Sequence, residues 1–212
     1  MAMVIKRVTL DAVGLPVYHF APEIGVARLL GERFGANYRP ADIDPAAFEG
    51  LGVPVARVDL CHPLRHMPAG SAGGLVHSHV LEHIPVSLER LLRDLNSTIA
   101  PGGFHLFQAP IHSGWYREDV DPDMDPATRT ERFYQEDHVR CFGTEDFAER
   151  VLALFEDDFD RIDIAALFKR RELMMACIPP SALDSLTGHS AFLFVKRPLG
   201  FRRKVLKVLG IG

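Results

Sequence analysis

Short apolar runs along this chain alternate with stretches in which apolar residues recur every three or four positions. Val17-Tyr18-His19-Phe20 is a β-rich run closed by Ala21-Pro22-Glu23, and Ile24 to Phe34 then places Val26, Leu29, Leu30 and Phe34 at helical spacing. The pattern predicts strand, turn and helix. Asn37 to Ile43 predicts a second strand ending in the acidic pair Asp42 and Asp44, and Val53 to Val58 a third ending at Asp59. Leu75 to Val80 is a fourth. From Pro85 onward Leu88, Leu91, Leu92, Leu95 and Ile99 share one helical face while Glu89, Arg90, Arg93 and Asp94 point away. Pro101-Gly102-Gly103 stops that helix and Phe104 to Ala109 forms a fifth strand, followed by a polar loop to about Arg140, long enough to suggest function. Thr144 is placed to cap a further helix carrying Phe147, Val151, Leu154 and Phe155, and Arg161 to Ala165 and Ala191 to Val195 read as closing strands. The first dozen residues receive no element.

Strands alternating with helices predict an α/β fold, a Rossmann-like doubly wound and mainly parallel sheet whose ligands bind beyond the carboxyl ends of the strands. At 212 residues and 47% hydrophobic content the chain is expected to form one domain over residues 1–200, with a basic amphipathic tail at 201–212. That tail sets Arg202, Arg203, Lys204 and Lys207 among Phe201, Val205, Leu206 and Leu209, a pattern suited to weak contact with a membrane surface. The net charge of -4 offers no overall attraction for nucleic acid, so none is expected as a partner. Cys61, Cys141 and Cys177 are odd in number and far apart, which suits reduced thiols and a cytoplasmic location. There is no apolar run of bilayer length and no signal-peptide pattern.

The chemistry gathers at the predicted strand ends. Glu23 and Gly25 lie in the first turn, where glycine removes a Cβ that would block a ligand. Asp42 can accept from two vicinal hydroxyls with Ile43 against a ring, and Asp59 can accept from a ring amino group with Leu60 on the ring's other side. Such a set suits S-adenosylmethionine, which has no phosphates to cradle.

The segment His77-Ser78-His79-Val80-Leu81-Glu82-His83-Ile84-Pro85, its following helix and Ile99-Ala100-Pro101-Gly102-Gly103 resemble the fourth and fifth strand regions of class I methyltransferases, particularly the type 11 group. His19-Phe20-Ala21-Pro22-Glu23 resembles a variant first motif of a subgroup, as do Asp137-His138-Val139-Arg140 and Phe142-Gly143. The resemblance covers roughly residues 16–155. It implies about seven strands, mostly parallel with one reversed near an edge, and S-adenosyl-L-methionine held by Glu23, Gly25, Asp42, Ile43, Asp59, Leu60 and His77. One departure stands out. His19 takes the usual acidic place of the first loop and Ala21, Pro22 and Glu23 stand where glycines are usual, so that only Gly25 survives.

Methyl transfer from a sulfonium is an in-line displacement, in which the protein aligns a nucleophile and supplies a base if the acceptor is a hydroxyl. The loop after the fifth strand is expected to supply the acceptor side. His112 and His138 are the candidate bases, Trp115, Tyr116, Glu118 and Arg140 the candidate substrate contacts, and the loop is expected to order over the site when ligands bind. The acceptor implied is a small molecule or a lipid- or sugar-linked intermediate methylated at oxygen. Two rivals differ in class. A methyltransferase fold that binds but does not react is the first, prompted by the depleted glycines. The second is a zinc peptidase, prompted by His79-Val80-Leu81-Glu82-His83, which needs both histidines on one helical face. A nicotinamide cofactor is disfavoured because no G-x-G-x-x-G follows the first strand. No metal is expected.

Overall fold

The alternating pattern resolves into a seven-stranded sheet with helices on both faces in the computed structural model, which describes residues 1–179 and 185–198. In chain order the elements are α1 (Ala2–Arg7), β1 (Val17–Phe20), α2 (Ile24–Phe34), β2 (Tyr38–Asp42), β3 (Ala56–Arg57), β4 (Ala72–Ser78), α3 (Leu88–Thr98) and β5 (Ile99–Gln108). There follow β6 (Ile111–His112), β7 (Arg117–Glu118), α4 (Pro126–Phe133), β8 (Arg140–Gly143), α5 (Phe147–Arg150), β9 (Phe159–Ile162), α6 (Arg170–Met175) and β10 (Ala191–Lys196). The main sheet runs β3-β2-β1-β4-β5-β10-β9. β1 pairs in parallel with β2 and β4, and β4 with β5, while β10 lies antiparallel between β5 and β9. The reversed strand near one edge is therefore β10. The chain starts at β1, winds outward to β3 and returns to β4, which makes the β1/β4 boundary the switch point where loops diverge and leave a crevice.

Two apolar layers sandwich the sheet because successive strand side chains point to opposite faces. Leu75, Phe107, Phe192 and Phe194 join Leu88, Leu91, Leu92 and Leu95 of α3 on one face. Val76, Leu106 and Leu193 join Val26, Ala27 and Leu30 of α2 and Val4 and Ile5 of α1 on the other. Burying each leucine contributes about 1.5–3 kcal/mol. Gly74 is required by packing, since a methyl group there would run into the Phe104 ring.

Several boundaries differ from those the sequence predicts. The α3 helix stops at Thr98, and Ile99 already pairs with Ala72, so Pro101-Gly102-Gly103 forms an irregularity inside β5, with Gly102 at φ +84°. The fourth strand begins earlier, at Ala72, and the third shrinks to two residues. Thr144 caps nothing; Asp146 precedes α5. The unassigned N-terminus holds α1, docked where Arg33 donates to the Ile5 carbonyl (2.5 Å). The largest correction concerns residues 110–140, which are a folded unit and not a loop awaiting a ligand. There β6, β8 and β7 form a small sheet, and Asp125 caps α4 by accepting from the Thr128 N–H (3.0 Å). No helix among the described residues is long and apolar enough to cross a membrane. The basic tail from Phe201 lies outside the described residues.

Candidate functional site

The two central strands end in strained backbone. Ala21 follows β1 at φ +47° and His79 follows β4 at φ +53°. A non-glycine residue held there costs about 1–3 kcal/mol, and such strain gathers where function demands a particular loop path. Ala21 thus keeps the left-handed turn that a glycine would adopt freely. Behind it the buried His19 uses both ring nitrogens: Nδ1 accepts from the Tyr38 hydroxyl (3.0 Å) and Nε2–H donates to Glu23 Oε2 (2.9 Å). Glu23 is thereby held at the ends of β1 and β4, its side chain 45% exposed and within reach of Ser78. Burial is the largest influence and works to raise its carboxyl, but the hydrogen bond and charge of His19, a backbone N–H and Ser78 together hold it below the ordinary value. Gly25, in the first turn of α2, has open space where a Cβ would stand.

Asp42 closes β2 half-buried, and its Oδ1 accepts from the Asp44 N–H (2.9 Å), which fixes the carboxylate. Ile43 stands 50% exposed beside it, a large apolar side chain presented to solvent at a strand end. The Val58 N–H donates to the Asp42 carbonyl (2.9 Å), so the chain leading to Asp59 runs alongside. Asp59 accepts from the Cys61 N–H (2.8 Å) and from His62 Nδ1 (3.1 Å). Burial pushes its carboxyl up, and those two donors more than reverse the effect, leaving it below the usual range. Glu23, Gly25, Asp42, Ile43 and Asp59 therefore share the carboxyl edge of β1, β2 and β3.

Two residues assigned to the cofactor are not placed to touch it. Leu60 is buried in the apolar layer and presents no free face to a ring. His77 is fully buried, with Nε2 hydrogen-bonded to His105 Nε2 (2.9 Å) and its ring stacked on Phe107.

The folded unit after β5 changes the standing of the acceptor candidates. Arg140 is 0% exposed; its Nε–H donates to Glu118 Oε1 (2.9 Å) and its other nitrogens donate to the carbonyls of Leu81, Ile84 and Val86. It is committed and cannot bind a substrate anion. The same Glu118 oxygen accepts from the Tyr116 hydroxyl (2.8 Å) and the Leu88 N–H (2.9 Å), so a carboxylate 30 residues away caps the positive end of α3. Glu118 and Tyr116 are thus structural as well, and burial pushes the Tyr116 phenol up. His138 is buried, its Nδ1–H donating to the Phe133 carbonyl (3.1 Å) and its ring edge-on to His83 (centroids 4.7 Å), so its burial, with the Nε2 lone pair intact, keeps it from a bound acceptor. His112 is half-buried against Tyr134, ring centroids 4.4 Å apart, and burial followed by the nearby Arg117 charge lowers its pKa, so it is neutral at pH 7. Trp115 is 67% exposed and free to meet a ligand.

The zinc-peptidase reading fails on geometry. Leu81–His83 is a single 3-10 turn entered from a left-handed His79, so no helical face carries both histidines. His79, which sequence reasoning places in the methyltransferase-like segment and gives a role only in that decoy, stands half-exposed just past the end of β4. Its Nδ1 lies 3.4 Å from Glu82 Oε1, a bond that raises its pKa. Further along the same edge, a cavity of about 1020 Å³ opens between α1, α6 and the β9 and β10 ends, lined by Val4, Ile164, Phe168, Leu173 and Phe192.

No family model matches the sequence, and no curated protein matches it. Among solved structures, the fold is similar to that of an S-adenosylmethionine-dependent methyltransferase from Mesorhizobium loti, with TM-score 0.58 and 14% identity over 91% of this chain and 94% of the other. It is similar also to Haemonchus contortus phosphoethanolamine N-methyltransferase 2 in complex with S-adenosyl-L-methionine, with TM-score 0.52 and 15% identity over 93% of this chain and 51% of that one. A third match is Burkholderia thailandensis 1,6-didemethyltoxoflavin-N1-methyltransferase, with TM-score 0.50 and 15% identity over 88% of this chain and 73% of that one. The chain has the class I methyltransferase fold.

Proposed function

We propose that this chain is an S-adenosylmethionine-dependent methyltransferase of the type 11 group, with His19-Phe20-Ala21-Pro22-Glu23 as a variant first motif. The observation that carries the reading is the set of acids and open backbone on the carboxyl edge of β1, β2 and β3, beside the switch point of this sheet order. The residues fit the cofactor despite the missing glycines. Ala21 keeps the turn, His19 fixes the exposed Glu23 at the end of β1, and the space at Gly25 is open. Asp42 would hold the ribose hydroxyls, Ile43 and Asp59 the adenine, and Glu23 and Gly25 the amino-acid end. The bound cofactor supplies a methyl group on a sulfonium.

The acceptor is read as a small or lipid- or sugar-linked molecule methylated at oxygen, held near Trp115 with His112 taking the hydroxyl proton. His112 suits this role because it is neutral and only half-buried at the end of β6. The second reading, a binder without turnover, draws on His19 standing where an acid is usual. Calorimetric titration with S-adenosylmethionine, followed by assay of S-adenosylhomocysteine release with a panel of hydroxylated acceptors, separates the two. Absence of binding would end both.

Asp42→Ala is expected to weaken S-adenosylmethionine by about 1.5–3 kcal/mol, the value of a hydrogen bond involving a charged group. Unchanged affinity in the folded variant would remove Asp42 from the site. His112→Ala is expected to leave that affinity within about twofold while turnover falls by about 10²-fold, the lower end of general-base effects. Full turnover would exclude His112.

A further inference from the structure

The turn after β4 and the approach to β8 are clamped together. The Val139 N–H donates to the Glu82 carbonyl (2.9 Å), and Arg140 holds the carbonyls of Leu81 and Ile84. This clamp brings His138 to Glu82 and His83, so that one ligand atom from each of the three lies within 4.8 Å of the others. Glu82 is 1% exposed, and its Oε2 has no hydrogen-bond partner. A buried carboxylate oxygen in that state costs free energy unless a cation or donor meets it.

Both imidazoles are oriented from behind. His83 Nδ1 lies 3.1 Å from Asp137 Oδ2, and His138 Nδ1 lies 3.1 Å from the Phe133 carbonyl. A carbonyl only accepts, so His138 carries its proton on Nδ1; the Asp137 carboxylate selects the same tautomer for His83. Each ring is left with a lone pair on Nε2. The His83 Nε2 stands 4.0 Å from Glu82 Oε1, too far for a hydrogen bond. Two imidazoles with free lone pairs thus gather at a carboxylate whose Oε1 meets His79 Nδ1 (3.4 Å) and whose Oε2 meets no donor. Carboxylates and carbonyls that hold a histidine through its Nδ1–H are the usual second layer behind a metal-ligating imidazole.

We propose that Glu82, His83 and His138 bind one divalent first-row transition-metal ion of the Zn²⁺ type. Imidazole nitrogen with a single carboxylate suits such ions and not Ca²⁺ or Mg²⁺, which take nearly all-oxygen shells. This ligand set differs from the peptidase pattern, because His138 replaces His79. The half-exposed His79 stands over Glu82 and marks the side from which the ion and its remaining ligand enter. The proposal does not depend on the methyltransferase reading, since its readout is metal binding.

The test uses the full chain stripped by a chelator and titrated with ZnCl₂, and in parallel with CoCl₂ for its visible absorption. One equivalent is expected to bind with a Kd below about 100 µM and to raise Tm. Glu82→Gln and His83→Gln are each expected to weaken Zn²⁺ by at least about tenfold, and Asp137→Asn, which only orients His83, by about tenfold. His66→Ala, an exposed histidine outside the cluster, serves as the control and should bind as the parent does. Should Glu82→Gln fail to fold, His83→Gln and Asp137→Asn decide the matter. Absence of one-equivalent binding, or equal binding by these variants, would overturn the site and leave a proton as the shared cation.

Discussion

Replacing Arg140 with methionine is expected to destabilise the protein by about 3–5 kcal/mol, the cost of breaking a buried ion pair by removing one partner. Arg140 is fully buried and donates to Glu118 and to the carbonyls of Leu81, Ile84 and Val86. Methionine fills much of the volume but donates nothing, so three carbonyls lose a donor and Glu118 keeps a charge without its main counterion. For a chain of this length the loss corresponds to a Tm lower by about 6–20 °C. The double variant Arg140→Met/Glu118→Gln is expected to cost less than the sum of the two single changes, because the uncompensated charge is gone. Urea unfolding of the three variants measures both quantities. A Tm change under about 2 °C for Arg140→Met would show that the clamp contributes little. Because the same clamp sets Glu82 against His138, the variant is also expected to loosen that cluster.

Arg140 illustrates what sequence reading can and cannot reach. The strand end at Asp42 and the turn at Asp59, two residues past β3, are legible because an apolar run stopping at an acid is a local pattern, and the sheet class follows from its repetition along the chain. Boundaries fail where two elements meet without a loop, as at Thr98 and Ile99, where helix passes directly into strand and periodicity does not switch cleanly. Residues 110–140 read as loop because the anchors Ile111, Phe133 and Val139 are scattered at no fixed period, and because Arg129 and Arg140 are buried against the habit of their residue type. The partners of Arg140 are a carboxylate 22 positions away and carbonyls up to 59 positions away, which no local pattern encodes. For the same reason His138 reads as a loop base and not as a neighbour of Glu82, 56 positions earlier.

Acidification from pH 7 to pH 5 is expected to cost about 2 kcal/mol of stability or more, because of two histidines that the sheet buries neutral. His77 and His105 lie between the sheet and α3, and their bonds form a chain in which His105 Nδ1–H donates to Asn96 Oδ1 (2.9 Å) and His77 Nε2–H donates to His105 Nε2 (2.9 Å). The chain has no place for an added proton except the unpartnered His77 Nδ1, which is buried. Burial holds the His105 pKa down to about 3 and, joined by the His105 charge, keeps His77 well below its ordinary 6.5. The unfolded chain takes up both protons below about pH 6.5 and the native state does not. More protons bound to the unfolded state means that stability is intact above pH 6.5 and falls as pH drops toward 3, by up to about 1.4 kcal/mol per unit for each histidine. For His105 that is about 2 kcal/mol at pH 5, with His77 adding in the same direction, a large share of a usual total of about 5–15 kcal/mol. The depressed carboxylates Glu23 and Asp59 act only at lower pH, and the raised His79 opposes the trend by less than about 1 kcal/mol, since its pair with Glu82 is half-exposed. The double variant His77→Leu/His105→Leu strands the Asn96 carbonyl and loses stability equally at both pH values, so the penalty cancels in the difference. Urea unfolding at pH 7 and pH 5 should therefore show a drop of about 2 kcal/mol or more in the parent and a clearly smaller one in the double variant, where the lowered His112 and His138 still contribute. Equal drops in the two proteins would place the acid sensitivity elsewhere.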